Sequence, residues 1–531
     1  MTETTLPQGP PAALEREATA VSAAAVPVAP AVPVAPVVQE VPVVLSALRL
    51  EALAVGGTVG VVGMGARRSR ARAESLAARL GPNQPVVVAG VAGALDPRLG
   101  PGDVVVAAQI QASDGSVVRE LPGADLLAAE LVRAGLRVHV GPIASSPTMV
   151  RTAEGRRHLA RHGALAVDME SASVAGALGS RPMAVVRAIS DTEDVGAARG
   201  GLRALRSLRT VRAAAEHWGR AVGARSVVLA APRSFCAGVD RAIEIVERAL
   251  DRFGPPVYVR RQIVHNAHVV RRLEDLGAVF VAELDEVPDE SVVVLAAHGV
   301  TPGVRAEATA RPTLNVIDAT CPLVAKVHHE ARRFASQGYR MVLIGHHDHE
   351  EVVGTVGEAP DQIRVVQDVD AVAALPFEAD ERIAFLTQTT LATDETRAVV
   401  DALRARYPMV AGPHADDICY ATQNRQDAVR ALAGQCDLVL VVGSANSSNT
   451  ARLVEVARRT GCRAELLEDA SELRLEWLAS ARRVGLTAGA SAPESLVQQT
   501  LDALRLLGPV TVDEHRTTEE TVRFSLPQQV R

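Results

Sequence analysis

A chain of 531 residues is long enough for about three or four domains of ordinary size. Its formal net charge of −6 argues against an extended nucleic-acid surface, and its five cysteines include no CxxC pair, which excludes a disulfide framework. We therefore expect a cytoplasmic protein without a nucleic-acid partner, and its proline-broken apolar segments predict no membrane partner and no membrane span.

Three kinds of sequence follow one another along the chain. Residues 1–40 are rich in Ala, Pro and Val, which predicts a disordered tail because frequent proline prevents a packed core. From 41 to 222, and again from 226 to 510, β-branched apolar runs alternate with Ala/Leu/Arg-rich segments of helical pattern. This alternation predicts an α/β fold in both parts. Residues 511–531 are expected to form a polar strand and tail.

The strands expected in the first part are VGVVGM, PVVVAGVAG, DVVVAAQI, LRVHVGPIA and PMAVVRAIS. Those expected in the second part are SVVLAAP, VYVRR, SVVVLAAH, TLNVIDA, RMVLIGH, RIAFLTQ, DLVLVVGS and RRVGLTAG. Most strands of the second part end in a small or polar cluster. Because ligands bind at the carboxyl ends of strands in open α/β sheets, these clusters predict one shared central site.

The first part carries the strings GVAGALDPRLGPGDVVVA, AVDMESASVA and VVRAISDTED. They resemble the nucleoside phosphorylase and methylthioadenosine/adenosylhomocysteine nucleosidase superfamily, including its hopanoid-associated branch. The resemblance implies that Met169 and Glu170 hold a ribose and that Asp191 protonates the departing purine. Glu51 is a candidate second carboxylate. A candidate phosphate loop, GMGARR, contains Gly63, Gly65 and Arg67.

Two other interpretations of this first part stay open. Asp168 and Glu170 could be a solvated pair on a helix rather than parts of a site. The whole part could also be a non-catalytic module for binding or assembly, although it keeps the residues implied for ribose binding and acid catalysis.

Three cysteines of the second part, Cys236, Cys321 and Cys419, each directly precede a segment of helical pattern. A thiol at a helix N-terminus lies at the positive end of the helix dipole, which favours the thiolate that binds a metal. Three such thiolates predict a centre assembled between separate units, and three protein ligands leave one iron of a cubane cluster open. The alternative is three small buried residues. Cys436 and Cys462 have no polar cluster beside them and are predicted to be structural.

Polar side chains gather where the strands of the second part end. The imidazoles belong to His265, His298 and His349, and the hydroxyl and amide groups to Thr389, Thr390, Ser447, Ser448, Asn449 and Ser491. Such donors near helix N-termini predict binding of a phosphate or diphosphate. Glu351 is a candidate proton donor if burial raises its pKa. Alternatively, the run from His346 to His349 is a solvated turn or a zinc site, which would make the protein a zinc hydrolase.

The strings PRSFCAGVDRAI, IVHN, AAHGV, DATCPLV, LIGHHDHEEVVGT, TQTTL, DDICYAT, GSANSSN and TAGASAP occur in this order between residues 226 and 505. They resemble the 4-hydroxy-3-methylbut-2-enyl diphosphate reductase family, also called the IspH or LytB family, over nearly its whole length. The resemblance implies one 4Fe–4S cluster on Cys236, Cys321 and Cys419. It also implies that the cluster lies among three pseudo-equivalent α/β units, which we place at 238–320, 321–415 and 416–505, with the strand region 226–237 in addition.

The same resemblance implies roles for the polar side chains. The diphosphate would be bound by His265, His298, Ser447, Ser448, Asn449 and Ser491. His349, Thr389 and Glu351 would face the hydroxymethyl end of the substrate as the catalytic residues. The implied reaction is the two-electron removal of the hydroxyl group in the methylerythritol phosphate pathway, with ferredoxin or flavodoxin as electron donor. The chain departs from the family pattern at Glu350, usually proline, and at Ala445, usually lysine.

Overall fold

A computed structural model describes residues 42–56, 59–378, 381–414 and 416–531. The tail expected at residues 1–40 lies outside the described residues. Among the helices that are described, none combines the length and the apolar character needed to cross a bilayer.

In the first part, eight strands of the described residues form one sheet. They are β1 (Val43–Ser46), β2 (Val59–Val61), β3 (Val86–Ala94), β4 (Val104–Gln111), β5 (Val117–Glu120), β6 (Val138–Ser145), β7 (Ala166–Asp168) and β8 (Met183–Asp191). The helices are α1 (Arg49–Val55), α2 (Ala66–Ala77), α3 (Ala124–Arg133), α4 (Ala153–Ala160), α5 (Ser171–Leu178) and α6 (Ala197–Ala221). Because β8 pairs with both β3 and β4, the strands β3, β7, β6, β4 and β8 close into a ring.

The second part begins with β9 (Arg225–Ala231), α7 (Ala237–Phe253), β10 (Val257–Arg260), α8 (Ala267–Asp275), β11 (Ala278–Val281), β12 (Val292–Leu295), α9 (Pro302–Ala310) and β13 (Asn315–Asp318). It continues with α10 (Pro322–Ser336), β14 (Arg340–Ile344), α11 (Glu350–Val356), β15 (Ile363–Val366), α12 (Val369–Ala373), β16 (Ile383–Thr387) and α13 (Thr393–Arg406). It ends with α14 (Tyr420–Ala433), β17 (Leu438–Val442), α15 (Ser448–Arg459), β18 (Ala464–Leu467), α16 (Leu475–Leu478), β19 (Arg483–Ala488), α17 (Glu494–Arg505) and β20 (Val510–Arg516).

These strands form three separate parallel sheets. Their strand orders are β11-β10-β12-β13, β15-β14-β16 and β18-β17-β19-β9-β20. The first two sheets are local in sequence, whereas β9 joins the third sheet from the opposite end of the second part. The arrangement agrees with three α/β units and places the strand region 226–237 with the last of them.

The strands that the pattern did not predict lie mainly at sheet edges. β11, β15 and β18 are each the outer strand of one of the three sheets. Each has four residues, and only some of these are buried, because an edge strand is covered by the protein less completely than a central strand. The short strands β1, β5 and β7 were missed as well, because three or four residues do not establish a period.

The C-terminal residues are more firmly attached than a tail would be. The expected boundary between 510 and 511 falls within β20, which runs parallel to β9. Near the end of the chain, Val530 is only 2% exposed and belongs to an apolar cluster that includes Ile245 of α7. Residues 511–531 therefore complete the third sheet and then return to the first unit.

One apolar core joins the two parts of the chain. The long helix α6 buries Leu208 and Trp218 in a cluster that also contains Leu478 and Leu486 of the second part. Helices leave their last carbonyl groups without partners at the negative end of the dipole. Two guanidinium groups of the second part donate hydrogen bonds to the carbonyl groups at the end of α6 and to that of the residue after it. Arg225 donates to Ala221, and Arg482 donates to Arg220 at 3.1 Å and to Val222 at 3.3 Å.

Candidate functional site

The three predicted metal-binding cysteines occupy the same position in three helices. Cys236, Cys321 and Cys419 are the N-cap residues of α7, α10 and α14, as the sequence pattern indicated. The Cys419 sulfur also accepts the backbone N–H of Thr422 at 3.3 Å. The three thiols thus lie at the start of three helices, and Cys321 and Cys419 also lie near the start of the second and third units.

The backbone N–H of each cysteine donates to a carbonyl group beyond the end of a strand. In the order of the cysteines, the acceptors are Ala490, Ala297 and Thr389, at 3.4, 2.9 and 3.1 Å. Ser491 and His298 directly follow the first two acceptors, and Thr389 is itself a predicted site residue. The repeated hydrogen bond therefore holds each thiol beside a side chain predicted to bind substrate.

Gly238 shows how closely two of the thiols approach each other. A Cβ atom at this position would lie 2.7 Å from Cys321 Sγ and 3.8 Å from Cys236 Sγ. A side chain there would displace a sulfur, so glycine keeps the space between the two thiols open.

Among the described residues, no three His, Cys, Asp or Glu side chains converge on a position that could hold a single metal ion. Ligands of one zinc ion must all lie within about 2.3 Å of it. Within the described residues, His346 to His349 do not form such a group. Thiols that gather around one cavity without converging on a point fit a group larger than one ion, and thiolates are the ligands of iron–sulfur clusters.

Burial dominates the protonation of two of these thiols. It raises the pKa of Cys321 to about 11 and that of Cys419 to about 12. The sequence led us to expect thiolates favoured by the helix dipole, but that effect amounts to only about 0.3–1 kcal/mol, less than one pKa unit. A metal must therefore displace protons from the two thiols when it binds.

All of the site residues predicted in the second part line one cavity of about 110 Å³. They are Cys236, His265, His298, Cys321, His349, Glu351, Thr389, Thr390, Cys419, Ser447, Ser448, Asn449 and Ser491. Tyr420, Thr422 and Phe524 also line the cavity, although no sequence motif had indicated them. Phe524 comes from the segment expected to be a tail, so no local pattern could have indicated its role.

Three imidazoles form a cluster on the wall of this cavity. The rings of His265 and His298 are stacked with their centroids 4.1 Å apart, and the His349 ring lies 5.6 and 6.1 Å from them. Burial lowers the pKa of all three, that of His349 to about 4, and the neighbouring imidazoles lower those of His298 and His349 further. All three are therefore neutral at pH 7.

Two ring nitrogens of this cluster lack a hydrogen-bond partner among the described residues. His265 Nε2 and His298 Nε2 are buried and make no hydrogen bond. A buried polar atom without a partner carries a desolvation cost of about 1–3 kcal/mol, which a bound ligand would remove. His349 Nδ1 accepts the Glu351 N–H at 3.2 Å, so its hydrogen lies on Nε2. His349 thus presents an N–H group at Nε2, whereas Nδ1 of the neutral His265 lies 3.3 Å from the acceptor Gln262 Oε1, so the hydrogen of His265 lies on Nδ1 and its Nε2 is an acceptor.

The N-terminus of α15 supplies further donors. Ser447 is its N-cap residue, and the Ser491 hydroxyl lies 3.3 Å from the Ser447 hydroxyl and donates to the carbonyl of His265 at 3.1 Å. Asn449 accepts the Ala490 N–H at 2.8 Å, which orients its amide. Free N–H groups and the positive end of a 12-residue helix suit a bound anion.

Glu351 is the carboxyl group of the cavity. It is 3% exposed, and its two oxygens accept the N–H of Thr389 at 2.7 Å and the Thr389 hydroxyl at 3.0 Å. Burial raises its pKa to about 7, against these two hydrogen bonds, which lower it. Glu351 can therefore hold a proton near neutral pH, as the sequence analysis required of a proton donor.

The first part of the chain has its own cavity, of about 490 Å³. Glu51, Met169, Glu170 and Asp191 all line it. Asp168 ends β7 and Glu170 caps α5, and each is 5% exposed. The interpretation of these two as a solvated pair on a helix is therefore wrong.

Two arginines that the sequence analysis did not single out organise the charges of this second cavity. Arg187, 1% exposed, pairs with Asp168 at 2.6 Å, and its charge partly offsets the burial that raises the pKa of Glu170. Arg156 contacts Asp191 and donates to the carbonyl of Ala94 at 2.8 Å. No sequence pattern distinguishes these two positions, because arginine is frequent along the whole chain.

The candidate phosphate loop contacts a carboxylate of the first part, and Arg67 of the loop does not line the cavity. Gly65 donates its N–H to Glu170 at 3.4 Å, and Gly63 and Gly65 have the positive φ values of a tight turn. Arg67, however, is exposed and is not among the residues that line the cavity. Glu51 accepts the N–H groups of Leu48 and Val91 at 2.7 and 2.9 Å.

Two family models match the chain in succession. The model described as LytB protein matches residues 227–505, and the Phosphorylase superfamily model matches residues 38–222. The Phosphorylase superfamily match ends one residue after α6, and the LytB match begins at residue 227, within β9.

Relatives of the second part are similar over nearly their whole length. A 4-hydroxy-3-methylbut-2-enyl diphosphate reductase of Mycobacterium bovis is 56% identical over 317 residues, covering 59% of this chain and 96% of the relative. The enzyme of the same name from Cutibacterium acnes is 55% identical over 308 residues, covering 58% of this chain and 95% of the relative.

Solved structures show likeness to both parts. The E-1-hydroxy-2-methyl-but-2-enyl-4-diphosphate reductase from Plasmodium falciparum is 37% identical, with a TM-score of 0.56, and covers 58% of this chain and 97% of that chain. For the first part, a Helicobacter pylori 5'-methylthioadenosine/S-adenosyl homocysteine nucleosidase is 23% identical, with a TM-score of 0.29, and covers 33% of this chain and 96% of that chain.

The neutral imidazole of His349 predicts a pH dependence of stability. Between pH 6.5 and about 4, the unfolded chain binds a proton that folded His349 does not, so the free energy of unfolding falls as the pH falls. His349→Asn keeps a capping oxygen but does not titrate. Between pH 7 and pH 5 the variant should lose about 1–2 kcal/mol less than the wild type, measured by urea unfolding of metal-free protein.

His347→Asn is the matched control, because His347 is exposed and lies only two residues away. It should follow the wild type at both pH values. Equal pH dependence of wild-type protein and His349→Asn would show that His349 is protonated in the folded state.

Proposed function

The chain belongs to the LytB protein family, and on this premise we propose that its second part reduces 4-hydroxy-3-methylbut-2-enyl diphosphate to isopentenyl and dimethylallyl diphosphate. The observation that supports this function is the single cavity that gathers three helix-capping thiols, three neutral imidazoles and one protonatable carboxyl group. Reductive removal of the allylic hydroxyl group consumes two electrons and two protons, one of which leaves with the oxygen as water. Thiols that hold an iron–sulfur cluster would serve the electron supply, and Glu351 would supply the proton that leaves with the oxygen, while the second proton is added to the carbon skeleton of the product.

Cys236, Cys321 and Cys419 would hold one 4Fe–4S cluster. The donor set fits this cofactor, since it consists of three soft thiol groups that surround a cavity and provides no fourth thiol there. When bound, the cluster supplies the electrons and the Lewis acidity that the hydroxyl oxygen requires. A small electron-transfer protein such as ferredoxin or flavodoxin would supply electrons to the cluster.

The diphosphate group would lie between the histidine cluster and the N-terminus of α15. Its oxygens would accept hydrogen bonds from His298 Nε2, which has no partner among the described residues, and from His265 Nε2 in the tautomer that gives up the contact of Nδ1 with Gln262. Ser447, Ser448, Asn449 and Ser491 would complete the site with hydroxyl, amide and backbone N–H groups. Neutral donors and a helix dipole would bind this anion without a cationic side chain having to be buried in the cavity.

Glu351 would deliver the proton that leaves with the hydroxyl oxygen. Its pKa of about 7 keeps much of it protonated at neutral pH, and the buried cavity separates it from bulk water. Thr389 holds both carboxyl oxygens, so the proton is available in a fixed direction. His349 lies two residues away and would place a further N–H group near the reacting end of the substrate.

For the first part we propose cleavage of the bond between ribose and purine in a nucleoside. The observation that favours it is that Met169, Glu170 and Asp191 line one cavity together with a second carboxylate, Glu51. Glu170 would bind the ribose hydroxyl groups, and Asp191 would protonate the purine as it leaves. Because Arg156 contacts Asp191, the purine must share this carboxyl group with a guanidinium.

The first prediction from the proposed function concerns the thiols. Replacing Cys236, Cys321 or Cys419 with serine should abolish both the iron content and the reductase activity of anaerobically purified protein, because a hard hydroxyl replaces a thiolate poorly. Iron analysis and the visible absorption spectrum measure the result. Cys436→Ser and Cys462→Ser are the controls, and both should keep the cluster, since neither residue lines the cavity. Equal iron loss from all five variants would refute the assignment.

The second prediction concerns Glu351. Glu351→Gln should keep the cluster and bind substrate, yet lower kcat about 100-fold or more, the usual scale of acid–base catalysis. In the wild type, kcat should fall as the pH rises through about 7, because the carboxyl group then loses the proton it must donate. Steady-state kinetics of iron-replete protein between pH 6 and 9 measures both effects.

Glu350→Gln provides a matched control for this prediction, because Glu350 is adjacent but does not line the cavity. It should retain kcat and its pH profile. A near-normal kcat in Glu351→Gln would assign the proton to another group, with His349 or Thr389 as the next candidates.

The third prediction concerns the first part of the chain. The full-length protein should release purine from a nucleoside, with or without phosphate, and Asp191→Asn should lower this rate about 100-fold or more. Chromatographic detection of free purine measures the reaction. Asp194→Asn, at an exposed position three residues away, should leave the rate unchanged. If no nucleoside reacts and Asp191→Asn changes nothing, a binding role is the better description.

A further inference from the structure

The chain contains one lysine. Of its 56 basic residues, all but Lys326 are arginines. Lysine and arginine are not interchangeable, because an ammonium group donates in three directions from a single atom, whereas a guanidinium is a wide planar fork. The position of Lys326 is therefore a place to look for a contact that depends on the compact ammonium group.

Lys326 lies on α10, five residues after Cys321. Its Nζ atom donates to the carbonyl of Asp416 at 3.0 Å and lies 3.2 Å from Asp417 Oδ1. Asp416 and Asp417 precede Cys419 by three and two residues. One ammonium group thus connects the helix that carries one cysteine to the segment that carries another.

The carboxylate of Asp417 makes a third connection. Its side chain has no exposed surface, and Oδ2 accepts the backbone N–H of Thr387 at 3.0 Å. Thr387 ends β16, two residues before Thr389, whose carbonyl accepts the N–H of Cys419. The buried Asp417 carboxylate thus contacts both the end of β16 and the Lys326 ammonium group of α10. Because Asp417 is two residues from Cys419, these contacts hold the segment that carries this cysteine.

We propose that Lys326 and Asp417 form a positioning pair that sets the placement of the Cys321 and Cys419 thiols and of Thr389. This inference rests on the proposed reductase function for its meaning, since the two thiols are the proposed iron ligands. Neither residue lines the cavity, so the pair acts through the segments it joins rather than on the substrate. Arginine at position 326 would keep the charge but could not place one donor atom between the Asp416 carbonyl and the Asp417 carboxylate.

The test compares Lys326→Arg, Lys326→Met, Asp417→Asn and the double variant Lys326→Met/Asp417→Asn in the full-length chain. The first readout is the rate at which iodoacetamide labels Cys419 in metal-free protein, followed by mass spectrometry. The second is the iron content after anaerobic reconstitution, and the third is the midpoint potential of the cluster. Arg248→Met is the control, because Arg248 is an exposed cation on α7, the helix that Cys236 caps.

All three single variants at the pair should label Cys419 at least tenfold faster than the wild type and bind less than half as much iron. The double variant should be no worse than the more severe single variant, since residues that act as a unit are not additive. In whatever cluster forms, Lys326→Met should lower the midpoint potential, because a positive charge near the cluster is lost, whereas Lys326→Arg should not. Arg248→Met should match the wild type throughout.

Wild-type labelling and iron binding in Lys326→Arg would overturn the proposal, as would strictly additive effects in the double variant. The labelling experiment needs no cluster. It therefore tests the pair even if the wild-type protein binds no iron, an outcome that would instead refute the proposed reductase function.

Discussion

The hydrogen bond from each helix-capping cysteine to the carbonyl beyond a strand end is the constraint on which the central site depends. It occurs three times, with similar geometry, in three units whose sequences between the motifs differ. Each bond fixes a thiol with respect to a polar side chain that would contact the substrate. The proposed cofactor and substrate sites therefore depend on each other, because the same three backbone contacts position residues of both.

Burial decides the chemical state of the groups that these contacts bring together. Removal from water keeps the imidazoles neutral, raises the pKa of Glu351 to about 7 and raises those of two thiols to about 11 and 12. Hydrogen bonds and the helix dipole act in the opposite direction on Glu351 and the thiols but are weaker. Apart from Glu351, which is partly ionised near pH 7, the imidazoles and these two thiols of the unliganded site are uncharged, and the proposed metal and diphosphate would add most of its charge.

In the second part, the sequence indicated the residues of the candidate site more completely than it indicated the strands of the surrounding sheets. Cysteines before helices and polar groups after strands are local signals, so Cys236 and Ser491 could be assigned without knowing which strands are neighbours. The edge strands β11, β15 and β18 gave too short an apolar pattern. Phe524 and Asp417 could not be recognised, because their importance arises from contacts between segments distant in sequence.

The capping of α6 by Arg225 and Arg482 has a consequence for how the protein can be divided. A cut between the two parts would leave the last turn of α6 without its guanidinium partners and would expose Leu208 and Trp218 on one side and Leu478 on the other. The two parts are thus packed against each other through a shared core and are not independent domains joined by a linker. A cell that makes this chain obtains both cavities in a fixed one-to-one ratio, and cleavage between α6 and β9 would leave the two parts held together by their shared apolar core.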